Sequence, residues 1–204
     1  MISLGPPLIA LYAIWVLWAV SWLIAALWAD RTVARPAATR EWRYRPFTFA
    51  GWALLLFHVI GRVPPSVIDS KLWALMKPLW ILPVPIAWLF VALAAAGCSF
   101  AWWGRIYLGR LWSASLTAKA DHRVIDTGPY AIVRHPIYTG LLMAALATMA
   151  IRASPAVIAG FAIFTIGYWI KAREEERFLS GQLGPDAYAA YRARVPMLVP
   201  YWPR

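Results

Sequence analysis

Apolar residues run through this chain in long unbroken stretches, and the charges gather in short blocks between them, so the pattern predicts membrane helices. Leu8–Ala29 supplies 22 residues without a charge, enough to cross about 30 Å of hydrocarbon at roughly 1.5 Å per residue. Phe47–Ile60 is shorter, with Arg62 placed to snorkel from its end and Pro64-Pro65 to stop it. Leu79–Trp103 runs 25 residues without a charge. Pro136–Ile170 is interrupted only by Arg152, followed by Ser154-Pro155, and is too long for one span. It divides into two helices joined by a tight turn.

The expected fold is therefore an all-α integral membrane protein of five transmembrane helices, including a C-terminal helical hairpin. Lys171–Gln182 reads as a charged helix leaving the fifth span and Pro185–Val195 as another, so short cytoplasmic helices follow the hairpin. Pro196, Pro200 and Pro203 predict an extended tail packed on the surface. Alternating loops of this arrangement hold sixteen Lys and Arg against four. The positive-inside rule then puts the C-terminus in the cytoplasm and the N-terminus outside.

Composition sharpens the picture. With 62% hydrophobic residues and only 14% charged, a soluble protein would expose large apolar patches. The net charge of +11 suggests nucleic acid, but its division into blocks between apolar runs suits anionic lipid headgroups, and no nucleic-acid partner is expected. Trp28, Trp42, Trp80, Trp102, Trp103, Trp169 and Trp202 stand near run ends, as interfacial anchors do. The lone Cys98 lies in an apolar run and reads as a small buried hydrophobe. The N-terminal run, with no Lys or Arg before it and no small-residue cleavage site, reads as a retained helix. The 204 residues fit a single domain, 1–204.

Two polar segments are candidates for chemistry. The first is Gly128-Pro-Tyr-Ala-Ile-Val-Arg-His-Pro-Ile-Tyr-Thr-Gly140. Gly128-Pro129 makes a turn, Pro136 suits the first turn of a helix, and the free N–H groups there favour an anion. Arg134 and His135 stand at that mouth and Tyr138 just inside it. Gly140 permits close approach of a ligand or of a helix. Arg134 as a headgroup anchor and Gly140 as a packing contact are equally compatible with these residues. The second is Arg173-Glu-Glu-Glu176, directly after the last run. Three adjacent acids beside a membrane surface need a reason: one binding a cationic ligand or its hydroxyls with the others solvated, or simply a salt-laced surface helix. Helix spacing aims Arg173 toward Glu176 and Arg177 and Glu175 elsewhere. The three histidines form no H-E-x-x-H pattern, and His58 reads as a packed or weakly polar residue within its span.

In order, the chain carries the G-P-Y-x-x-x-R-H-P-x-Y-x-G segment, Glu175-Glu-Arg-Phe-Leu179, Gly184 with Tyr188 and Tyr191, and Arg194-Val-Pro196 followed by Pro200. Gly109-Arg-Leu-Trp-Ser113 precedes them. Over roughly Leu108 to Pro200 this order resembles the membrane-bound isoprenylcysteine carboxyl methyltransferase family and, more broadly, the phospholipid methyltransferases. The Gly184-to-Tyr188 spacing is one residue longer than the family's compact form.

The resemblance implies S-adenosylmethionine as cofactor, with S-adenosylhomocysteine as product, and makes 104–204 the cofactor-binding and catalytic portion. It implies cofactor contacts at Gly128, Pro129, Tyr130, Arg134, His135, Pro136, Tyr138 and Gly140, and a paired-glutamate element at Glu175 and Glu176. Arg173 would contact a methyl-accepting carboxylate. The implied acceptor is an isoprenylcysteine or other lipophilic carboxylate, free or on a prenylated protein, with membrane lipids around it and no metal required. The implied setting is a bacterial or archaeal cell membrane. A phospholipid amine, a quinone-like oxygen or a small thiol are alternative acceptors. A membrane reductase and a transporter are the competing classes.

Overall fold

The computed structural model describes residues 5–27, 38–60, 74–109, 112, 125–183 and 185–201. The expectations for Trp28, Arg62, Pro64-Pro65, Gly184, Trp202 and Pro203, and for the side chain of His58, fall outside the described residues. Among the described residues the α-helices with defined bounds are, in order, α1 (Pro6–Ala26), α2 (Ala38–Glu41), α3 (Arg45–Ile60), α4 (Val84–Leu108), α5 (Pro136–Arg152), α6 (Pro155–Leu183) and α7 (Pro185–Arg194). A 3₁₀ turn spans Gly128–Ala131.

Prolines set most of the starts. Pro6, Pro136, Pro155 and Pro185 each occupy a first helical position, where a missing N–H costs nothing. Pro83 delays α4 to Val84, so residues 79–83 are not helical and the helix extends past Trp103. Ala153, left-handed at φ 53°, closes α5, and its carbonyl accepts the Leu79 N–H at 2.8 Å.

The expectation of five spans is corrected to three. Only Pro6–Ala26, Val84–Leu108 and Pro155–Gly181, of 21, 25 and 27 residues, are long and apolar enough among the described residues. At 16 and 17 residues, α3 and α5 reach about 24–26 Å, short of the roughly 30 Å core. The chain does break at Ala153-Ser154, but α5 and α6 are not a hairpin of two spanning helices. Three apolar, membrane-length helices support an integral-membrane location. Leu17, Leu23 and Leu27 project outward along α1 at 69–84% exposure, as they would toward lipid.

Glycines bring two pairs of helices into backbone contact. A Cβ on Gly140 would strike the Gly97 carbonyl of α4, and one on Gly97 would strike the Gly140 carbonyl. Gly51, Gly160 and Gly167 bring α3 against α6 in the same way. Gly140→Ala is expected to cost about 1–3 kcal/mol by overpacking, read as a lower thermal midpoint in detergent. An unchanged midpoint would mean that α4 and α5 have slack.

Trp15, Trp18, Trp22 and Trp52 pack on one another where α1 and α3 meet, and Trp22 meets Trp102 of α4. Much of the tryptophan is therefore internal cement. Trp102 donates to Ser21 Oγ at 3.1 Å, which ties α4 to α1. Trp15 Nε1 donates to Thr148 Oγ1 at 2.9 Å across the apolar interior. Cys98 is buried, as its run predicts. Arg105, just beyond the charge-free run that ends at Trp103, is 1% exposed within α4. Its guanidinium lies over Trp112 and donates to the carbonyls of Gly109 and Ala25, at the ends of α4 and α1. Those carbonyls lack helical partners and carry the negative end of each dipole, which is what a cation can satisfy.

Candidate active site

Gly128 opens the first segment at φ 57°, and a Cβ there would run into the Tyr107 ring, so glycine is required twice over. The turn buries Pro129 and Tyr130. Tyr130 Oη donates to the Gly104 carbonyl of α4 at 3.3 Å, and its own carbonyl accepts from Tyr191 Oη of α7 at 2.8 Å. Pro136 then starts α5 with His135 as its N-cap.

Arg134 and His135 are both 7% exposed, and their charges meet acids from α6. Arg134 Nε donates to Glu176 Oε1 at 2.7 Å, and His135 Nε2 lies 3.2 Å from the same oxygen. His135 Nδ1 is 3.6 Å from Glu175 Oε2, which accepts the Tyr138 hydroxyl at 2.7 Å. The His135 and Tyr138 rings stack at 5.2 Å, with 6° between their planes. Burial pushes the His135 pKa down, but the hydrogen bonds and charges of Glu175 and Glu176 outweigh it and hold it above the ordinary 6.5.

A group raised on folding contributes stability that is whole below its unfolded pKa and lost as pH rises through its folded pKa. The thermal midpoint of the wild-type protein is therefore expected to fall above about pH 6.5 relative to His135→Gln. Parallel midpoint–pH curves would remove the imidazolium from the network.

The C-terminal tail holds this segment from outside. The carbonyls of Pro196 and Met197 accept the backbone N–H groups of Arg134 and His135 at 2.9 and 3.1 Å. The Leu198 carbonyl accepts from Thr139 Oγ1 at 2.6 Å, and those of Arg192 and Val195 accept from Arg134 Nη1. On α7, Tyr188 and Tyr191 share a buried face, with Arg192 turned outward.

The acids of α6 do not divide into one buried and two solvated. Glu174 is 3% exposed and is held by Arg43 at 2.9 Å and Arg177 at 2.8 Å. Glu176 is buried with Arg134, and Glu175 turns to Tyr138. One turn before Glu175, Lys171 lies 5.1–5.8 Å from the ring centroids of Tyr44, Tyr138 and Tyr168. Nothing in the motif order signals that cage; the i,i+4 spacing of Lys171 and Glu175 is its only trace.

A cavity of about 1020 Å³ lies beside the cluster. Its polar lining is Arg134, Thr165, Arg173, Glu176, Arg177, Ser180 and Arg192, and its apolar lining Leu142, Ile166, Trp169 and Met197–Val199. The Arg173 guanidinium lies 4.4 Å from the centroid of the Trp169 ring. Arg134, His135, Tyr138, Glu175 and Glu176 thus come together, the Gly128–Tyr130 turn adjoins them, and Arg173 faces the cavity. Gly140 stands apart, at the helix contact.

Residues 86–180 match the Isoprenylcysteine carboxyl methyltransferase (ICMT) family, which supports the resemblance carried by the order of the motifs. The matched residues run from α4 through most of α6 and include the whole buried cluster. A match to this family implies S-adenosylmethionine-dependent chemistry in general terms.

Among curated proteins, the chain is 32% identical over 123 residues to the Cobalt-zinc-cadmium resistance protein CzcN of Cupriavidus metallidurans, covering 59% of this chain and 51% of that protein. It is 45% identical over 75 residues to Methanethiol S-methyltransferase 2 of Bradyrhizobium diazoefficiens, covering 35% and 26%. It is 29% identical over 80 residues to Protein-S-isoprenylcysteine O-methyltransferase B of Arabidopsis thaliana, covering 39% and 41%. The chain spans about half or less of the length of these relatives.

Proposed function

We propose that this chain is a membrane methyltransferase that uses S-adenosylmethionine to methylate the carboxylate of an isoprenylcysteine-like or other lipophilic acceptor. The observation that carries the acceptor class is the gradient along the cavity. On α6 the lining runs from Thr165, Ile166 and Trp169 to Arg173, Glu176, Arg177 and Ser180 at helical spacing, mainly apolar first and with all the charges in the second half. From Ile166 to Ser180, fourteen helical rises, that face is about 21 Å long, which suits an amphiphile with an anionic head. Among the cavity's arginines, Arg134 is bound to Glu176, Arg177 to Glu174, and Arg192 lies 3.9 Å from Glu176. Arg173 has its ring contact with Trp169 and no carboxylate partner among the described residues. Its planar fork is the cation left to grip a carboxylate.

The residues present fit the cofactor. A site with both acids and cations beside a turn of Gly128, Pro129 and Tyr130 offers counterparts to a molecule bearing an ammonium, a sulfonium and a carboxylate, and the cavity is larger than one small ligand needs. On this reading Gly128, Pro129, Tyr130, Arg134, His135, Pro136, Tyr138, Glu175 and Glu176 form the cofactor side. Arg134 and His135 act there chiefly by holding Glu176 in place, and Gly140 by letting α4 close on α5. When bound, S-adenosylmethionine supplies a methyl group already activated on its sulfonium sulfur. The protein's part is to exclude water and align the acceptor oxygen. A carboxylate is already ionised at neutral pH, its reference pKa being about 4, so Arg173 orients it and no proton need be removed.

The methanethiol S-methyltransferase relative favours a thiol as second reading. A thiol acceptor has a reference pKa of about 8.5 and would have to lose its proton, giving Glu175 or Glu176 a direct role. Incubating the purified protein with methyl-labelled S-adenosylmethionine and N-acetyl-S-farnesylcysteine tests both. Base-labile label in the lipid product identifies the ester. Base-stable transfer to a small thiol selects the second reading, and absence of cofactor binding overturns both.

A further inference from the structure

The tail does more than hold the Arg134-His135 segment, because its side chains form one wall of the cavity. From Val195 to Leu198 its carbonyls accept from Arg134, His135 and Thr139 in turn, so it advances along the first turns of α5. Val199 comes next, 53% exposed, and lines the same cavity as Leu142 and Ile166; on α6, Ile166 stands about 21 Å from Ser180 by helical rise.

Resting on the proposed function, we infer that Val199 is a specificity-determining residue that limits the length of the acceptor's apolar chain. An amphiphile with its carboxylate on Arg173 would run past Trp169 toward Ile166 and meet Val199 near its far end. The backbone clamp ends at Leu198, so the Val199 side chain can be changed without removing a carbonyl that holds Arg134, His135 or Thr139. In an apolar pocket a change of one or a few methylene groups alters discrimination by about 10-fold or more.

The experiment compares N-acetyl cysteines carrying S-geranyl, S-farnesyl and S-geranylgeranyl chains as methyl acceptors for the wild-type protein, Val199→Trp and Val199→Ala. Val199→Trp is expected to raise KM for the geranylgeranyl acceptor about 10-fold over that for the geranyl acceptor, with unchanged affinity for S-adenosylmethionine. Val199→Ala should move the preference the other way. A role confined to stability would lower the response to all three chains together. The wild-type chain-length profile in both folded variants overturns the inference. A benzophenone-bearing analogue of S-farnesylcysteine provides a readout independent of methyl transfer. Labelling of the peptide holding Val199 supports the assignment even if no acceptor is methylated, which would count against the proposed function alone. Labelling confined to other helices overturns the inference.

Discussion

Replacing Arg173 by lysine is expected to lower methyl transfer about 10²-fold while S-adenosylmethionine affinity stays near wild type. Lysine keeps the charge but loses both the two-pronged grip and the flat contact with Trp169, 4.4 Å away. A carboxylate held at one point can swing, and misalignment of the reacting atoms is costly because transfer depends on an in-line approach. Turnover and cofactor binding measured in one detergent preparation separate the two effects. Full turnover in Arg173→Ala would move the carboxylate grip elsewhere, with Arg192 as the cavity's alternative.

Glu176→Gln is expected to be the most destabilising single change in the cluster. Its carboxylate serves Arg134 at 2.7 Å and His135 at 3.2 Å, and the Arg134 and Glu176 side chains are only 5% and 7% exposed. Removing one member of a buried ion pair strands the other charge, at a cost of about 3–5 kcal/mol. A large fall in thermal midpoint, with lost cofactor binding, is the expected result. Glu174→Gln should do less, because both its arginine partners are 61% exposed and can turn to water. Equal effects of the two substitutions would mean that burial does not rank these pairs.

The starts at Pro136 and Pro185 and the break at Ala153-Ser154 were legible because they depend on neighbouring residues: a proline at a first turn, and Arg152 before Ser154-Pro155. The count of spans was not. Charge-free length measures where a helix is permitted, whereas Pro83 decides where α4 begins, and a buried Arg105 stays inside its end. The meeting of Arg134, His135 and Tyr138 with Glu175 and Glu176 was legible only through family resemblance. Spacing alone placed Arg173 and Glu176 on one face of a helix. One of the two partners of Glu174, Arg43, lies 131 residues away, and no local rule reaches that far. The tail's prolines announced an extended chain, but not that its carbonyls would meet the N–H groups of Arg134 and His135.

The Gly97–Gly140 contact bears on how the site responds to heat. Hydrophobic association in water carries a large heat-capacity change, so its strength varies with temperature. Two helices that meet in lipid exchange one apolar neighbour for another, and are held by close van der Waals contact instead. Parting α4 from α5 within a bilayer would then carry little heat-capacity change. The platform beneath His135 and Tyr138 should accordingly keep nearly constant strength as temperature changes.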